Sequence, residues 1–150
     1  MNLASWVVGL SLIVLTIAVH STAVVMMAFG MEHRIRARLE KHTLDPQRAI
    51  PIVIGTIGFV AVVLAVMHGL EGVLWASAYR LLGAFDSFAD ASVYSLGTMI
   101  TLDIPGLVLP SRLRMISALE AVNGVMLFGI STAFLFAVMQ SCISSLVRRR

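Results

Sequence analysis

The sequence predicts an all-α membrane protein with three transmembrane helices. Of its 150 residues, 59% are hydrophobic and only 13% are charged, whereas a soluble domain carries about 25% charged residues. Three stretches are long enough to cross a bilayer, for which a helix needs about 20 predominantly apolar residues. These observations favour a single domain whose main solvent is lipid.

Each of the three stretches is almost free of charge. Residues 2–31 contain no charged residue, and because a basic leader and a cleavage site are missing, we expect a retained helix rather than a signal peptide. Residues 49–70 are also uncharged, and their helix is expected to continue through EGVLWASAYR. The third stretch, about 115–147, is interrupted only by Glu120.

The basic residues set the orientation of these helices. Five Lys or Arg lie between the first two stretches and three Arg follow the third, which together make eight of the eleven basic residues. The positive-inside rule therefore predicts an outside N-terminus and a cytoplasmic first loop and C-terminus. Topology explains the net charge of +3, so we expect the lipid bilayer and no nucleic acid as a partner.

The segment between the second and third stretches, residues 85–114, lies outside by this topology. Its apolar part, FADASVYSLGTMITL, has fifteen residues, a length that favours a re-entrant or interfacial segment over a span. Asp86 or Ser87 offers an N-cap for a short helix, and Pro105 with Gly106 prevents that helix from continuing.

A half-length helix followed by irregular backbone at membrane depth needs protein or water around its polar groups. One chain with three spans offers little such cover, whereas several copies around a shared axis do. We therefore expect a homo-oligomer with a water-filled centre.

This order of a helix, a short re-entrant helix, an extended loop and a second helix is that of a potassium-channel pore. The run RLRMISALEAVNGVMLFGISTAFLFAV adds an acidic residue, spaced glycines and a Ser-Thr-Ala sequence. On these features, residues 68–139 resemble the small bacterial pore-loop potassium channels of the two-helix pore (ion-channel) family. The resemblance covers about the second half of the chain and implies a homotetramer in the bacterial inner membrane.

The resemblance also implies a domain organisation. Residues 1–48 would be an added transmembrane helix with its basic cytoplasmic loop, and residues 49–150 the pore module. The parts of the pore module after its outer helix would be a pore helix at 86–100, a filter loop at 101–110 and an inner helix at 112–147.

The family's filter reads Thr-Val/Leu-Gly-Tyr-Gly-Asp, and this chain departs from it. An ungapped match places Asp103 and Pro105 at the two glycine positions, and a frame that starts at Thr98 also loses both glycines. The filter or ion-pathway residues in the ungapped match are Thr101, Leu102, Asp103, Ile104, Pro105 and Gly106.

These replacements have a physical consequence. Potassium filters line the pore with rings of backbone carbonyls, an arrangement that needs residues with positive φ, which glycine adopts without steric cost. Pro105 cannot adopt positive φ because its ring fixes the angle near about −65°, so we do not expect the usual potassium filter. Asp103 would instead form a ring of carboxylates that attracts cations; the alternative is a solvated aspartate that caps a turn beside Pro105.

Thr98 in the pore helix, and Thr101, are expected to offer oxygen atoms to the ion pathway or to pack the pore helix. Glu120 lies within the last span, where an ionisable residue is a functional candidate. We favour a structural bridge from Glu120 behind the loop, to Arg114, Arg112 or a neighbouring subunit.

Two glycines of the last span, Gly124 and Gly129, are possible hinges of the inner helix, with close helix packing as the alternative.

The remaining polar residues indicate no second activity. Glu71 is expected to pair with Arg80 or to cap its helix. His20 and His68 lie in apolar surroundings without a second ligand at helical spacing, so we expect no metal site. The sequence also shows no catalytic constellation, so we expect neither a cofactor nor an enzyme.

The function expected from these features is a tetrameric cation channel, permeable to monovalent or divalent cations and not strictly selective for potassium. One alternative is a non-conducting relative that acts as a structural or regulatory membrane protein. A third is a small subunit of a membrane enzyme or transporter.

Overall fold

The computed structural model of the chain describes residues 3–41 and 46–147, and every regular element in these ranges is helical. The elements in chain order are α1 (Leu3–Lys41), α2 (Pro46–Leu81), α3 (Phe88–Met99), a 3₁₀ turn (Ser111–Leu113) and α4 (Arg114–Val147). The prediction of an all-α fold is thus confirmed.

The three long helices each contain a segment that is long and apolar enough to span a membrane. These segments are Ser5–Met31, Ile50–Leu81 and Ser111–Ser144, with mean hydropathies of 2.2, 2.7 and 1.9. Only 11% of the most apolar window of the first two is buried within the chain, so most of their apolar surface needs lipid or another protein around it. The prediction of three membrane-embedded helices is confirmed at this level.

The basic segment after the first span is helical, although we expected a loop there. Helix α1 continues through it to Lys41, because Arg, Lys, Glu and Leu all favour a helix and neither Gly nor Pro interrupts them after Met31. Helix α2 starts at Pro46, a residue that suits the first turn because its missing N–H needs no partner there. Asp45, which together with Pro46 is a turn signal in the sequence, lies outside the described residues.

The chain forms two compact units. The second unit, residues 21–65 and 130–150, holds a small apolar cluster of Val60, Leu64, Val138 and Cys142. Cys142 is buried in this cluster as a free thiol and packs there as a small hydrophobic residue.

The first unit, residues 1–20 and 66–129, contains α3 and the loop that follows it. Its apolar core is built from α2, α3, the end of the loop and the start of α4. The fully or nearly buried members of this core are Trp75, Ala76, Tyr79, Ala91, Leu109, Leu113 and Ile116.

Helices α2 and α3 end in the same way. After α2, the N–H of Ala84 donates to the Tyr79 carbonyl (2.9 Å), and Gly83 adopts a positive φ of 66°. This is a Schellman motif, in which glycine usually takes the left-handed position. After α3, the equivalent bond joins the Leu102 N–H to the Gly97 carbonyl (2.8 Å), and Thr101 takes the left-handed position with a φ of 59°.

The start of α3 agrees with the sequence. Its N-cap is Ser87, one of the two predicted residues, whose hydroxyl accepts from the N–H groups of Ala89 (3.2 Å) and Asp90 (3.4 Å). The helix ends at Met99, and irregular backbone leads from there to the 3₁₀ turn before α4.

Candidate functional site

The C-terminal half of α3 is buried between α2 and α4. On the α2 side, a Cβ added at Gly72 would lie 2.6 Å from a methyl group of Leu96. On the α4 side, a Cβ added at Gly124 would overlap the backbone of Met99, at 2.7 Å from its carbonyl carbon and closer still to its oxygen. Two glycines therefore provide the space into which the end of α3 fits.

A buried carboxylate fixes α3 to both neighbouring helices. Glu120 of α4 is fully buried and accepts a hydrogen bond from the Tyr79 hydroxyl of α2 (2.6 Å). Its other oxygen accepts from the hydroxyl of Ser95 in α3, which also lies 2.9 Å from the Gly72 carbonyl. Glu120 thus joins three helices directly behind the loop.

The partners of Glu120 differ from those we expected. Among the described residues the carboxylate forms no ion pair with Arg114, whose side chain is exposed, or with Arg112, which donates to the Leu82 carbonyl (3.2 Å). The reason is position along the chain: Arg112 lies in the 3₁₀ turn and Arg114 at the first residue of α4, six or more residues before Glu120. The hydroxyl groups of Tyr79 and Ser95 reach the carboxylate where it is buried between the helices.

Aromatic and hydroxyl contacts hold the middle of α3. The Tyr94 and Ser117 hydroxyl oxygens are 2.8 Å apart and join α3 to α4. The Tyr94 ring meets the Tyr79 ring edge-to-face, with a centroid distance of 5.3 Å, a geometry that adds stability beyond the buried area.

The loop after α3 folds back over the end of the helix. Two side-chain carbons of Ile104 would lie 2.7 and 2.8 Å from a Cβ added at Gly97. Ile104 can pack against the helix at this point because Gly97 has no side chain. Further on, the Leu107 N–H donates to the Ile104 carbonyl (3.2 Å), and Gly106 has a φ of 86°. Proline followed by a glycine with positive φ is the signature of a type II turn.

The predicted ion-pathway residues are brought together at this loop. Thr101, Leu102, Asp103, Pro105 and Gly106 are exposed, whereas Ile104 is half-buried and Thr98, in the helix itself, is buried.

The electrostatics of this loop favour positive charge. The C-terminal end of a helix carries a partial negative charge, and the end of α3 lies directly before the loop. The exposed carboxylate of Asp103 adds to that field.

The two predicted hinge glycines have different surroundings. Gly124 faces the backbone at the end of α3, whereas nothing lies within 4 Å of a Cβ added at Gly129. Helix α4 is continuous through both positions.

A second polar cluster, which the sequence analysis missed, joins α1 and α2. The Glu71 carboxylate lies 2.8 Å from Nδ1 of His20 and 3.2 Å from Nδ1 of His68, and not beside Arg80, which donates to the Phe85 carbonyl. The sequence feature that could have predicted this contact is the three-residue spacing of His68 and Glu71, which places both residues on one face of a helix. The expectation that neither histidine has a second ligand at helical spacing was therefore wrong.

Other polar contacts tie α1 to α4 within the first unit. The Asn123 amide donates to the Thr16 hydroxyl (2.9 Å), and both residues are fully buried. Nearer the start of α1, the Ser5 hydroxyl donates to the Arg112 carbonyl (3.1 Å).

Comparison with known proteins found no matching family model, no similar curated protein and no similar solved structure. The function is therefore argued from the geometry of the site.

Proposed function

We propose that this chain is a subunit of a homotetrameric pore-loop cation channel whose filter differs from that of potassium channels. The observation that carries the proposal is the path of residues 88–109. Ala91 near the start of α3 and Leu109 near the end of the loop belong to the same apolar core as Tyr79, whereas Met99 between them reaches Gly124. The segment thus enters the helix packing and returns.

The depth of this excursion supports a re-entrant segment. Gly124 lies ten residues after the start of α4, and Gly72 lies nine residues before the end of α2. At 1.5 Å of rise per residue, the end of α3 lies about 14–15 Å from those helix ends. That distance is about half of the 30 Å hydrocarbon core of a bilayer.

The exposed side chains of α3 and the loop support assembly into an oligomer. Apolar side chains recur there at three- and four-residue intervals and extend into the loop. Those that are about half exposed are Val93 (51%), Leu96 (45%), Ile100 (55%) and Leu102 (56%). Irregular backbone at membrane depth needs protein or water around its polar groups. Identical neighbouring subunits around a water-filled pore would supply both.

Two features support cation passage through an unusual filter. Asp103 and the negative end of α3 act on the same loop, and a ring of such groups attracts cations. The Ile104 carbonyl is engaged by the Leu107 N–H within a turn, so it does not extend a continuous ladder of inward carbonyls. A pore lined partly by carboxylates is expected to discriminate poorly between potassium and other cations.

The test is ion flux into liposomes that contain the purified protein. Asp103→Asn removes one charge per subunit at the loop. Asp90→Asn is its matched control, because Asp90 is also an exposed aspartate but lies in the first turn of α3, at the opposite end of that helix from the loop. We expect wild-type cation flux, about a tenfold loss in Asp103→Asn, and flux close to wild type in Asp90→Asn.

Absence of flux for monovalent and divalent cations under any gradient would refute the channel. Equal losses in the two variants would refute the role of Asp103.

A second candidate function is a non-conducting relative with a structural or regulatory role. The observation in its favour is that the loop bonds to itself and to α3, through the Leu102 N–H on the Gly97 carbonyl and the turn at residues 104–107. This candidate predicts a stable oligomer of wild-type protein without cation flux. The same liposome experiment distinguishes the two.

A further inference from the structure

Three potential metal ligands converge between α1 and α2. His20, His68 and Glu71 each offer a ligand atom, and these atoms lie within 4.8 Å of one another. All three residues are buried, with exposed fractions of 0%, 9% and 1%. This cluster belongs to no part of the proposed pore loop.

The donor set suits a transition-metal ion. Two imidazoles and one carboxylate form a known three-ligand set for zinc, with bond lengths of about 2.0–2.2 Å and one remaining position for water. In a tetrahedral arrangement at those bond lengths, neighbouring ligand atoms are about 3.3–3.5 Å apart. Oε1 of Glu71 lies 2.8 Å from Nδ1 of His20, and Oε2 lies 3.2 Å from Nδ1 of His68. One ligand atom from each residue lies within 4.8 Å of the other two, so side-chain rotations would bring the three donors to these separations.

The carboxylate is also available to a ligand. Oε2 of Glu71 is buried and accepts no well-formed hydrogen bond from any residue in the described ranges, although His68 Nδ1 lies nearby. A carboxylate inside a spanning segment is costly unless a positive charge compensates it. The two ion-pair partners that the described residues provide are both histidines, which carry positive charge only when protonated.

The position of the cluster is held by packing. The His68 ring stacks on Phe128 with a centroid distance of 4.2 Å and an angle of 19° between the planes. The His20 ring lies against the His68 ring, with a centroid distance of 5.2 Å, and its Nδ1 lies 2.8 Å from the Glu71 carboxylate. Both imidazoles are thus oriented before any ion binds, which lowers the entropic cost of binding.

We propose that His20, His68 and Glu71 bind one divalent transition-metal ion per chain, with zinc as the best fit, and that the ion fastens α1 to α2. The proposal goes beyond the channel function and does not depend on it. A metal-binding measurement tests the proposal whether or not the protein conducts ions.

The test is zinc content after exposure of the full-length protein in detergent to micromolar Zn²⁺ and removal of free ion. We expect about one zinc per chain in the wild type. Glu71→Gln keeps the side-chain shape without its charge and is expected to weaken binding by more than the roughly 10–100-fold cost of losing an outer-shell partner. His20→Asn should have a similar effect.

His33→Asn is the matched control, because it removes a histidine thirteen residues after His20 in the sequence. It should leave the zinc content unchanged. No uptake by the wild type, or equal uptake by all four proteins, would overturn the proposal.

A measurement on the wild type alone keeps the test decisive if a variant fails to fold. X-ray absorption at the zinc edge should show two imidazole ligands at about 2.0–2.1 Å. Bound zinc without imidazole ligands would overturn the proposal.

Discussion

Replacement of Gly124 by alanine tests how α3 is held in place. A Cβ at this position would lie 2.7 Å from two backbone carbons of Met99, whereas ordinary van der Waals contacts are about 3.4–4 Å. The end of α3 must then move away from α4 by roughly 1 Å. Because the obstacle is backbone, a change of rotamer cannot relieve the overlap.

The net effect combines two opposing contributions. Overpacking costs about 1–3 kcal/mol, and displacement of α3 weakens the Ser95–Glu120 hydrogen bond by about 1 kcal/mol more. Alanine gains about 1 kcal/mol over glycine in a helix. We expect Gly124→Ala to lower the free energy of unfolding by about 1–3 kcal/mol.

Gly129→Ala is the matched control on the same helix. Nothing lies within 4 Å of its added Cβ, so only the helix propensity changes, and we expect the free energy of unfolding to rise by up to about 1 kcal/mol. Unfolding by SDS in mixed micelles, followed by the fluorescence of buried Trp75, measures both variants.

A Gly124→Ala protein within about 0.5 kcal/mol of the wild type would refute this reasoning. A hinge role predicts a different pattern, in which both substitutions change channel gating and neither destabilises the fold.

Three further predictions concern the bonds and backbone around the loop. Tyr79→Phe removes the hydroxyl that donates to Glu120 and should lower the free energy of unfolding by about 1–3 kcal/mol. Tyr94→Phe is the control, because the Tyr94 hydroxyl contacts a serine instead. A loss for Tyr79→Phe no larger than that for Tyr94→Phe would contradict the importance of the buried carboxylate. Thr101→Gly should raise the same free energy by about 0.5–1 kcal/mol in SDS titration, because glycine relieves the left-handed backbone that threonine adopts at a φ of 59°; a decrease would show that the threonine side chain stabilises the loop. Gly106→Ala should lower the midpoint of thermal unfolding, because alanine at a φ of 86° costs about 1 kcal/mol; an unchanged midpoint would argue against the type II turn.

Much of the fold could be predicted because its signals are local. Long apolar runs predicted the three long helices. Asp86 or Ser87 before a short apolar run predicted the start of α3, whose N-cap is Ser87. The Pro105–Gly106 pair predicted a break, and the structure has a turn there. We expected a loop after Met31 because that segment is highly charged, whereas the helix propensity of its residues extends α1 to Lys41.

The polar partners could not be predicted in the same way, because they depend on which helix faces meet. Glu120 was expected to bond to nearby arginines or to a neighbouring subunit. Within the chain, it bonds instead to residues that are 25 and 41 positions away. For Glu71, the spacing from His68 was visible in the sequence, whereas the contact with His20 required the packing of α1 on α2. Buried carboxylates in helical membrane proteins are therefore better assigned after the helix packing is known.

The most direct test of the central claim is an experimental structure of the purified protein in a lipid nanodisc. The proposed function predicts four copies around one axis, with residues 101–106 of every copy facing a hydrated path at that axis. A single protomer, or an assembly in which these residues face lipid, would contradict it.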